Sequence, residues 1–214
     1  MTWLRHPLRS IRRASRLATT LVGEGQYEIR ADAQSLGFAV DLCHVLQREW
    51  GHLNADTRMT LLDMGARSAT GSNLIAQSFH PHSWSRLKLE VTALDIEPIY
   101  AAGAHDRFPD VDYRVGDVLD LEGQWDIVTC SHTLEHLTDP RPVMRKLLAL
   151  ARKQVVIAAP WTEPTASRAD GHLFTFDEHF FEDFPATHFE AYRSPHWHDS
   201  ECFIASYTLR ADRA

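Results

Sequence analysis

A chain of 214 residues with 44% hydrophobic content is long enough for one well-buried domain and short for two. Its formal net charge of −7 excludes a nucleic-acid binder that works by general electrostatics, and a 24% share of charged residues makes wholesale disorder or membrane spanning poor readings. Cys43, Cys130 and Cys202 form no CxxC pair, so neither a disulfide framework nor a cysteine zinc site is expected, and the compartment reads as reducing, the cytoplasm.

Residues 1–22 read as a basic amphipathic arm. Arg5, Arg9, Arg12, Arg13 and Arg16 follow one another without an acid between them, while Leu4, Leu8, Ile11, Ala18 and Leu21 recur at helical spacing behind Trp3. Such a stripe fits a helix lying on an anionic membrane, which implies peripheral contact with the inner face of the membrane. A helix covering the sheet or a partner subunit, with its arginines solvated, fits the same pattern. The apolar run from Leu17 to Val22 is short and broken by Thr19 and Thr20, so neither a cleaved signal nor a transmembrane helix is expected.

Residues 23–214 read as a single domain. A helix is predicted over about 32–53, where Leu36, Val40, Cys43 and Leu46 keep helical spacing. Residues 59–63 form a short apolar run ending in an acid, as expected of a buried parallel strand, and a helix follows over 72–79. Further strands are predicted at 89–95, 111–115, 125–130 and 154–159. Between the last two, a helix runs from about Pro140 to Arg152, with basic residues in its last turn where the helix dipole prefers them. Residues 180–184 look helical, and 188–192 and 202–209 look like a strand pair. The alternation specifies an α/β fold: a doubly wound, mostly parallel seven-stranded sheet with an antiparallel edge hairpin at the C-terminus.

In an open sheet of this kind ligands bind beyond the carboxyl ends of the strands, at the switch point in strand order. The segments to read are therefore residues 63–71, 95–97, 116–118 and 131–136. The first has glycines where backbone must approach a ligand, but Arg67 and Ser68 occupy the middle where a dinucleotide loop would continue its G-x-G-x-x-G pattern. Asp95 can hold both hydroxyls of a ribose, and Asp117 can accept from the exocyclic amine of adenine. Two such acids without a pyrophosphate cradle suit a nucleoside ligand better than a dinucleotide.

These residues carry a resemblance. Leu61-Leu62-Asp63-Met64-Gly65 through Gly71-Ser72-Asn73-Leu74 resembles the first motif of class I, Rossmann-like S-adenosylmethionine-dependent methyltransferases, an acid followed by three glycines at alternate positions. Leu94-Asp95 looks like their ribose-binding motif and Gly116-Asp117-Val118 like their adenine-binding turn. Trp125-Asp126-Ile127-Val128 followed by Leu134-Glu135-His136-Leu137-Thr138-Asp139-Pro140 is similar to the fourth-strand segment of the small-molecule branch. The resemblance covers about residues 59–160 in the right order. It departs at Ala69, which stands where the second glycine is expected, and the loop reads as two residues longer with Arg67-Ser68 inserted.

The resemblance implies S-adenosylmethionine as cofactor. Asp63 would be the acid of the first motif, Gly65 and Ala66 would lie along the methionine moiety, and Gly71 would open the following helix. Asp95 would bind the ribose and Ile96 would pack on the adenine. Asp117 would take the adenine amine, and the Val118 amide a ring nitrogen. Ser131 and His132 would border the methionine end and the acceptor. Methyl transfer would be an in-line displacement at the sulfonium, in which positioning supplies much of the acceleration and a hydroxyl acceptor needs a base.

His132, His136 and His172 are the catalytic candidates. His132 directly follows the fourth strand, and histidine as a residue type suits a general base near neutral pH. His172 lies in Gly171-His172-Leu173-Phe174-Thr175-Phe176, which resembles the family's substrate-side loop; a loop histidine satisfied by backbone is the plainer reading. His132, Glu135 and His136 fall at i, i+3 and i+4 and can converge on one helical turn. Some family members hold a divalent metal in such a segment, but a packed, hydrogen-bonded His136 is the simpler reading and no metal is expected. His196-Trp197-His198 reads as surface. The surplus of histidines favours oxygen over nitrogen as the acceptor atom, and the arm favours a cell-envelope glycan or lipid precursor over other small molecules. A non-catalytic, methyltransferase-like scaffold is the alternative; a nicotinamide-dependent oxidoreductase is disfavoured by the missing pyrophosphate loop.

Overall fold

Five stretches, each holding apolar residues among polar ones, become the parallel core of the computed structural model, which describes residues 24–195 and 199–209. They are β1 (Thr57–Met64), β2 (Leu87–Asp95), β3 (Val111–Val115), β4 (Trp125–Ser131) and β5 (Ala151–Pro160). β6 (His188–Ser194) and β7 (Ser200–Thr208) complete a seven-stranded sheet in the order β3-β2-β1-β4-β5-β7-β6. The first five strands pair in parallel, whereas β7 runs antiparallel to both β5 and β6. The doubly wound sheet and its C-terminal hairpin match expectation. The arm at 1–22 and residues 196–198 lie outside the described residues.

Period-two geometry sends neighbouring strand residues to opposite faces. Leu61, Ile127 and Val156 enter a core covered by α1 (Glu24–Trp50), α2 (Thr70–Ser78) and α3 (Ala101–Arg107). Leu62, Val128 and Val155 enter a second core beneath α4 (Arg141–Leu150) and α5 (Glu178–Asp183). A sheet covered on both faces needs apolar residues at successive positions, which is why these strands read as runs rather than alternations.

Two of the predicted helices depart from their expected bounds. α1 begins at Glu24, several residues before the predicted start, and ends at Trp50. α4 ends at Leu150, and Ala151 is already extended at φ −90° and ψ 139°. Arg152 and Lys153 therefore open β5 rather than closing a helix, and each approaches Asp126 on the neighbouring strand, at 3.9 and 3.3 Å. Parallel pairing of Ala151 with Trp125 requires extended backbone at that point, so the dipole argument does not apply there.

α1 is anchored at several points along its length. Gly71 lets it approach α2: a Cβ there would lie 2.8 Å from the Ser35 carbonyl oxygen. Tyr192 Oη donates to Asp41 at 2.7 Å, and Trp50 Nε1 donates to Gln154 at 2.6 Å, so the helix is tied to β6 and β5. Its residues Gln34, Ser35 and Phe38 are thereby held over the carboxyl ends of β1 and β4.

Candidate active site

The strand order reverses between β1 and β4, and at their carboxyl ends lies a cleft of about 490 Å³. All four strand-end segments singled out from the sequence line it. A second wall comes from α1 through Gln34 and Phe38, and a third from residues 169–172.

The loop after β1 turns through three left-handed residues at alternate positions: Gly65 (φ 81°), Arg67 (φ 50°) and Ala69 (φ 63°). That alternation matches the spacing of three glycines, so Arg67 and Ala69 occupy the second and third glycine places and no inserted pair is needed. The expected two-residue lengthening is corrected accordingly. The Ala69 methyl is buried in the core on the α1 side, not in the cleft. Gly65 cannot be replaced so easily, because a Cβ there would sit 2.1 Å from Thr133 Oγ1. Gly71 falls in the first turn of α2, as expected of a residue that opens the helix.

Asp63 is buried, and its carboxylate accepts from Ser72 Oγ at 2.6 Å and Thr129 Oγ1 at 3.0 Å. It ties β1 to α2 and β4, and burial raises its pKa despite those hydrogen bonds. Asp95 closes β2 with both oxygens oriented, Oδ2 by the Arg67 amide at 2.7 Å and Oδ1 by the Glu97 amide at 2.9 Å. Burial also lifts Asp95 above the ordinary aspartate range, against the opposing pull of those amides and the Arg67 charge. The Arg67 carbonyl accepts from Tyr113 Oη at 2.7 Å, and its guanidinium donates to Gln34 on α1 at 3.2 Å. Ile96 lines the cleft beside Asp95. Asp117 uses one oxygen to accept from the Leu119 amide at 2.9 Å, which caps a 3-10 turn beginning at Val118.

At the end of β4 the residues of a small polar chamber converge. Ser131 Oγ is sealed from water and has no hydrogen-bond partner among the described residues. His132 has left-handed backbone at φ 47°, and its ring lies flat on Phe38 with centroids 3.5 Å apart. Its Nδ1 is 3.5 Å from the fully buried Glu135 carboxylate. Burial alone would raise the pKa of Glu135. Contact with His132, together with the potential of His136 and His172, outweighs it and holds the group below the usual carboxylate range. His136 and His172 meet edge to face with ring centroids 4.9 Å apart. Residues 134–136 form a 3-10 turn rather than an α-helical one, so the convergence of His132 with Glu135 comes from the left-handed kink and not from i, i+3 helical spacing.

The structure thus brings His132, His136 and His172 together. It also adds residues that the sequence reading did not single out: Phe38, Gln34, Thr133, Tyr113 and Glu163. Glu163 accepts from His172 Nδ1 at 2.7 Å. It lies just beyond β5, so the strand-end rule applied to the fifth strand would have found it. Phe38 gave no signal distinct from the apolar face of α1.

Comparisons with known proteins converge on one family. Residues 36–198 match the family described as "Methyltransferase domain". Over 100 residues the chain is 35% identical to the ubiquinone biosynthesis O-methyltransferase of Xanthomonas euvesicatoria pv. vesicatoria (strain 85-10), a match spanning 43% of this chain and 38% of that relative. The match thus spans well under half the length of this curated relative. Among solved structures, magnesium protoporphyrin IX methyltransferase from Synechocystis PCC 6803, with bound SAH, superposes with a TM-score of 0.62 at 15% identity, covering 92% of this chain and 94% of that one. The N-methyltransferase NodS from Bradyrhizobium japonicum WM9 gives 0.56 at 15% identity, covering 80% and 96%. The [4+2]-cyclase SpnF gives 0.60 at 14% identity, covering 80% and 81%. At these identities the likeness is one of fold, the Rossmann-like methyltransferase fold, and that fold also hosts a cyclase.

Proposed function

The chain belongs to the methyltransferase-domain family, and we propose on that premise that it moves a methyl group from S-adenosylmethionine to an oxygen of a small-molecule acceptor. The observation that carries the reading is Asp95. Its carboxylate closes β2 at the switch point, is aimed by two backbone amides and lines the cleft beside the Gly116-Asp117-Val118 turn. A nucleoside laid across these groups puts its ribose hydroxyls on Asp95 and its base against Ile96 and Val118. Its sulfonium end then lies near Gly65, Ser131 and His132.

When bound, S-adenosylmethionine would supply an electrophilic methyl group on its sulfonium, and a hydroxyl acceptor would have to give up its proton to a base of the cleft. His132 is the base in this reading: Phe38 fixes its ring, and Glu135 stabilises the imidazolium that forms. The relative in Xanthomonas carries an O-methyltransferase name, which favours oxygen as the acceptor atom. Within this reading the acceptor is a cell-envelope glycan or lipid precursor, met at an anionic membrane through residues 1–22. Among the described residues no helix is long and apolar enough to cross a membrane.

Calorimetric titration with S-adenosylmethionine, S-adenosylhomocysteine and NADH tests the cofactor. Binding of the first two, absent for NADH and lost in Asp95→Ala, is expected. A native-like protein that binds none of them supports the scaffold reading instead. His132→Ala should lower kcat on a hydroxylated acceptor by about 10²–10⁴-fold with little change in cofactor affinity. Deleting residues 1–22 should abolish binding to anionic liposomes, and intact protein that ignores such liposomes ends the membrane proposal.

A further inference from the structure

Between β5 and α5 the chain runs through residues 161–176 as a loop, interrupted by the 3-10 turn Thr165–Ser167 and pinned by the Trp161–Phe176 bridge. A stretch of this length presents a fixed wall only where cross-ties replace a ladder. Glu163 supplies the innermost tie. One of its carboxylate oxygens accepts from the Ala169 amide at 2.9 Å, and the other from His172 Nδ1 at 2.7 Å. Its carbonyl accepts from Thr175 Oγ1 at 3.1 Å. The loop is thus gathered around residue 163, and its inner side, residues 169–172, is the third wall of the cleft, which Glu163 itself does not line. A second tie closes the base of the loop: Arg168 donates to the Leu173 carbonyl at 3.1 Å and to Thr175 Oγ1 at 2.6 Å.

We propose that Glu163 is the positioning residue of the acceptor wall: without touching the cleft, it sets where residues 169–172 stand and which nitrogen of His172 bears the ring hydrogen. The pair is shielded, with side-chain exposures of 14% for Glu163 and 3% for His172, so water competes little for the contact. A carboxylate only accepts, so Nδ1 of His172 carries a hydrogen, and in the neutral ring Nε2 is left to accept. The consequence extends past one histidine. His136 meets His172 edge to face with ring centroids 4.9 Å apart, and His136 Nδ1 lies 3.0 Å from the Gly171 carbonyl oxygen. A shift of residues 171 and 172 therefore disturbs two of the three histidines of the chamber. Calling this wall the acceptor side rests on the methyl-transfer reading, whereas the positioning itself does not.

Glu163→Gln separates positioning from mere bracing. The Ala169 amide can only donate, so the new side chain must keep its oxygen there and turn its NH₂ group toward His172. Nδ1 must then accept, and the ring hydrogen moves to Nε2. The test is long-range ¹H–¹⁵N NMR of full-length protein at a pH where the ring is neutral, with His172 assigned by its loss in His172→Asn. The unaltered protein should show the Nδ1–H form, Glu163→Gln the Nε2–H form and Glu163→Ala a mixture. Arg168→Met, which cuts the other tie, should keep the Nδ1–H form. Hydrogen exchange at the Ala169 amide should quicken by about 10–100-fold in Glu163→Ala, from loss of one hydrogen bond to a carboxylate. Affinity for S-adenosylhomocysteine should stay within about twofold throughout, because β2, which bears Asp95, lies three strands from β5. An Nε2–H form in the unaltered protein overturns the proposal. So does an Nδ1–H form indifferent to Glu163→Gln, or one lost equally in Arg168→Met, in protein that circular dichroism shows to be folded. If Glu163→Ala unfolds, Glu163→Gln carries the test alone. An unaltered protein that binds neither S-adenosylmethionine nor S-adenosylhomocysteine ends the methyl-transfer reading and leaves the tautomer result standing.

Discussion

Replacing Gly65 with alanine should be among the most damaging single-methyl additions in this protein. The residue has φ 81°, a conformation that costs an L-residue about 1–2 kcal/mol. The new Cβ would also meet Thr133, at 2.1 Å from Oγ1, 2.7 Å from Cγ2 and 2.8 Å from Cβ. Real Cβ atoms do not approach so closely, so Thr133 must move, and overpacking of this kind adds about 1–3 kcal/mol. The sum is roughly 2–5 kcal/mol, read as a shift in the urea midpoint at constant slope. Thr133 Oγ1 donates to the Ser131 carbonyl at 3.1 Å, so its displacement disturbs the strand end that bears Ser131 and His132. Affinity for S-adenosylhomocysteine should fall with stability. Thr133→Ala removes the two closest contacts, so the double variant should recover at least about 0.5–1 kcal/mol relative to additivity. A Gly65→Ala protein within about 0.5 kcal/mol of the parent, or strictly additive effects of the two substitutions, would refute the close approach of these two loops.

Gly71→Ala should destabilise, reversing the sign usual for glycine to alanine in a helix, because the Cβ would meet the Ser35 carbonyl oxygen of α1 at 2.8 Å; a thermal melt showing a raised Tm contradicts the packing. In the proposed ribose contact Asp95 must be ionised to accept from two hydroxyls, and burial raises its pKa, so affinity for S-adenosylhomocysteine should be complete above that pKa. It should weaken as pH falls through it, beginning at a higher pH than an exposed aspartate at about 3.9 would allow. Calorimetry across pH should show this loss in the parent and a flat profile in Asp95→Asn; equal slopes would exclude Asp95 as the titrating group. Burial pushes Cys43 up to about 11 and Cys202 up to about 12, and raises Cys130 as well. Native protein at pH 8, with about one Cys43 in a thousand ionised, should therefore react with a thiol reagent only on unfolding. A thiol that reacts at the rate of free cysteine would show that the burial is wrong.

Much of the frame was legible because it rests on properties that one strand or helix displays alone. Leu61, Leu62 and Ile127, Val128 face opposite cores in pairs, so these strands show adjacent apolar residues whatever their neighbours are. Acids at strand ends were legible for the same reason, since Asp63 and Asp95 follow such runs directly. What was hidden depends on partners distant in sequence. Glu24 to Ala31 shows little apolar periodicity, so the start of α1 went unmarked. Arg152 and Lys153 are drawn into β5 by pairing with β4 and by Asp126, neither visible within a helical window. His132 reached Glu135 by a backbone kink at φ 47°, and no rule of spacing foresees left-handed histidine.

The loop after β1 shows how a departure from a motif can keep its geometry. Three left-handed residues are needed there, and glycine supplies them at the least cost. At 65 the requirement is absolute, because Thr133 fills the space a side chain would take. At 69 it is only conformational, since the methyl of Ala69 points into a core that accepts it, offsetting part of the strain by burial. At 67 a long side chain is accommodated because it leaves the loop toward α1, where the guanidinium reaches Gln34. Meanwhile the backbone of the same residue works as a glycine would, its amide on Asp95 and its carbonyl on Tyr113. The arginine therefore joins Asp95 to the helix that roofs the cleft. A plain glycine could orient Asp95 but could not make that second connection.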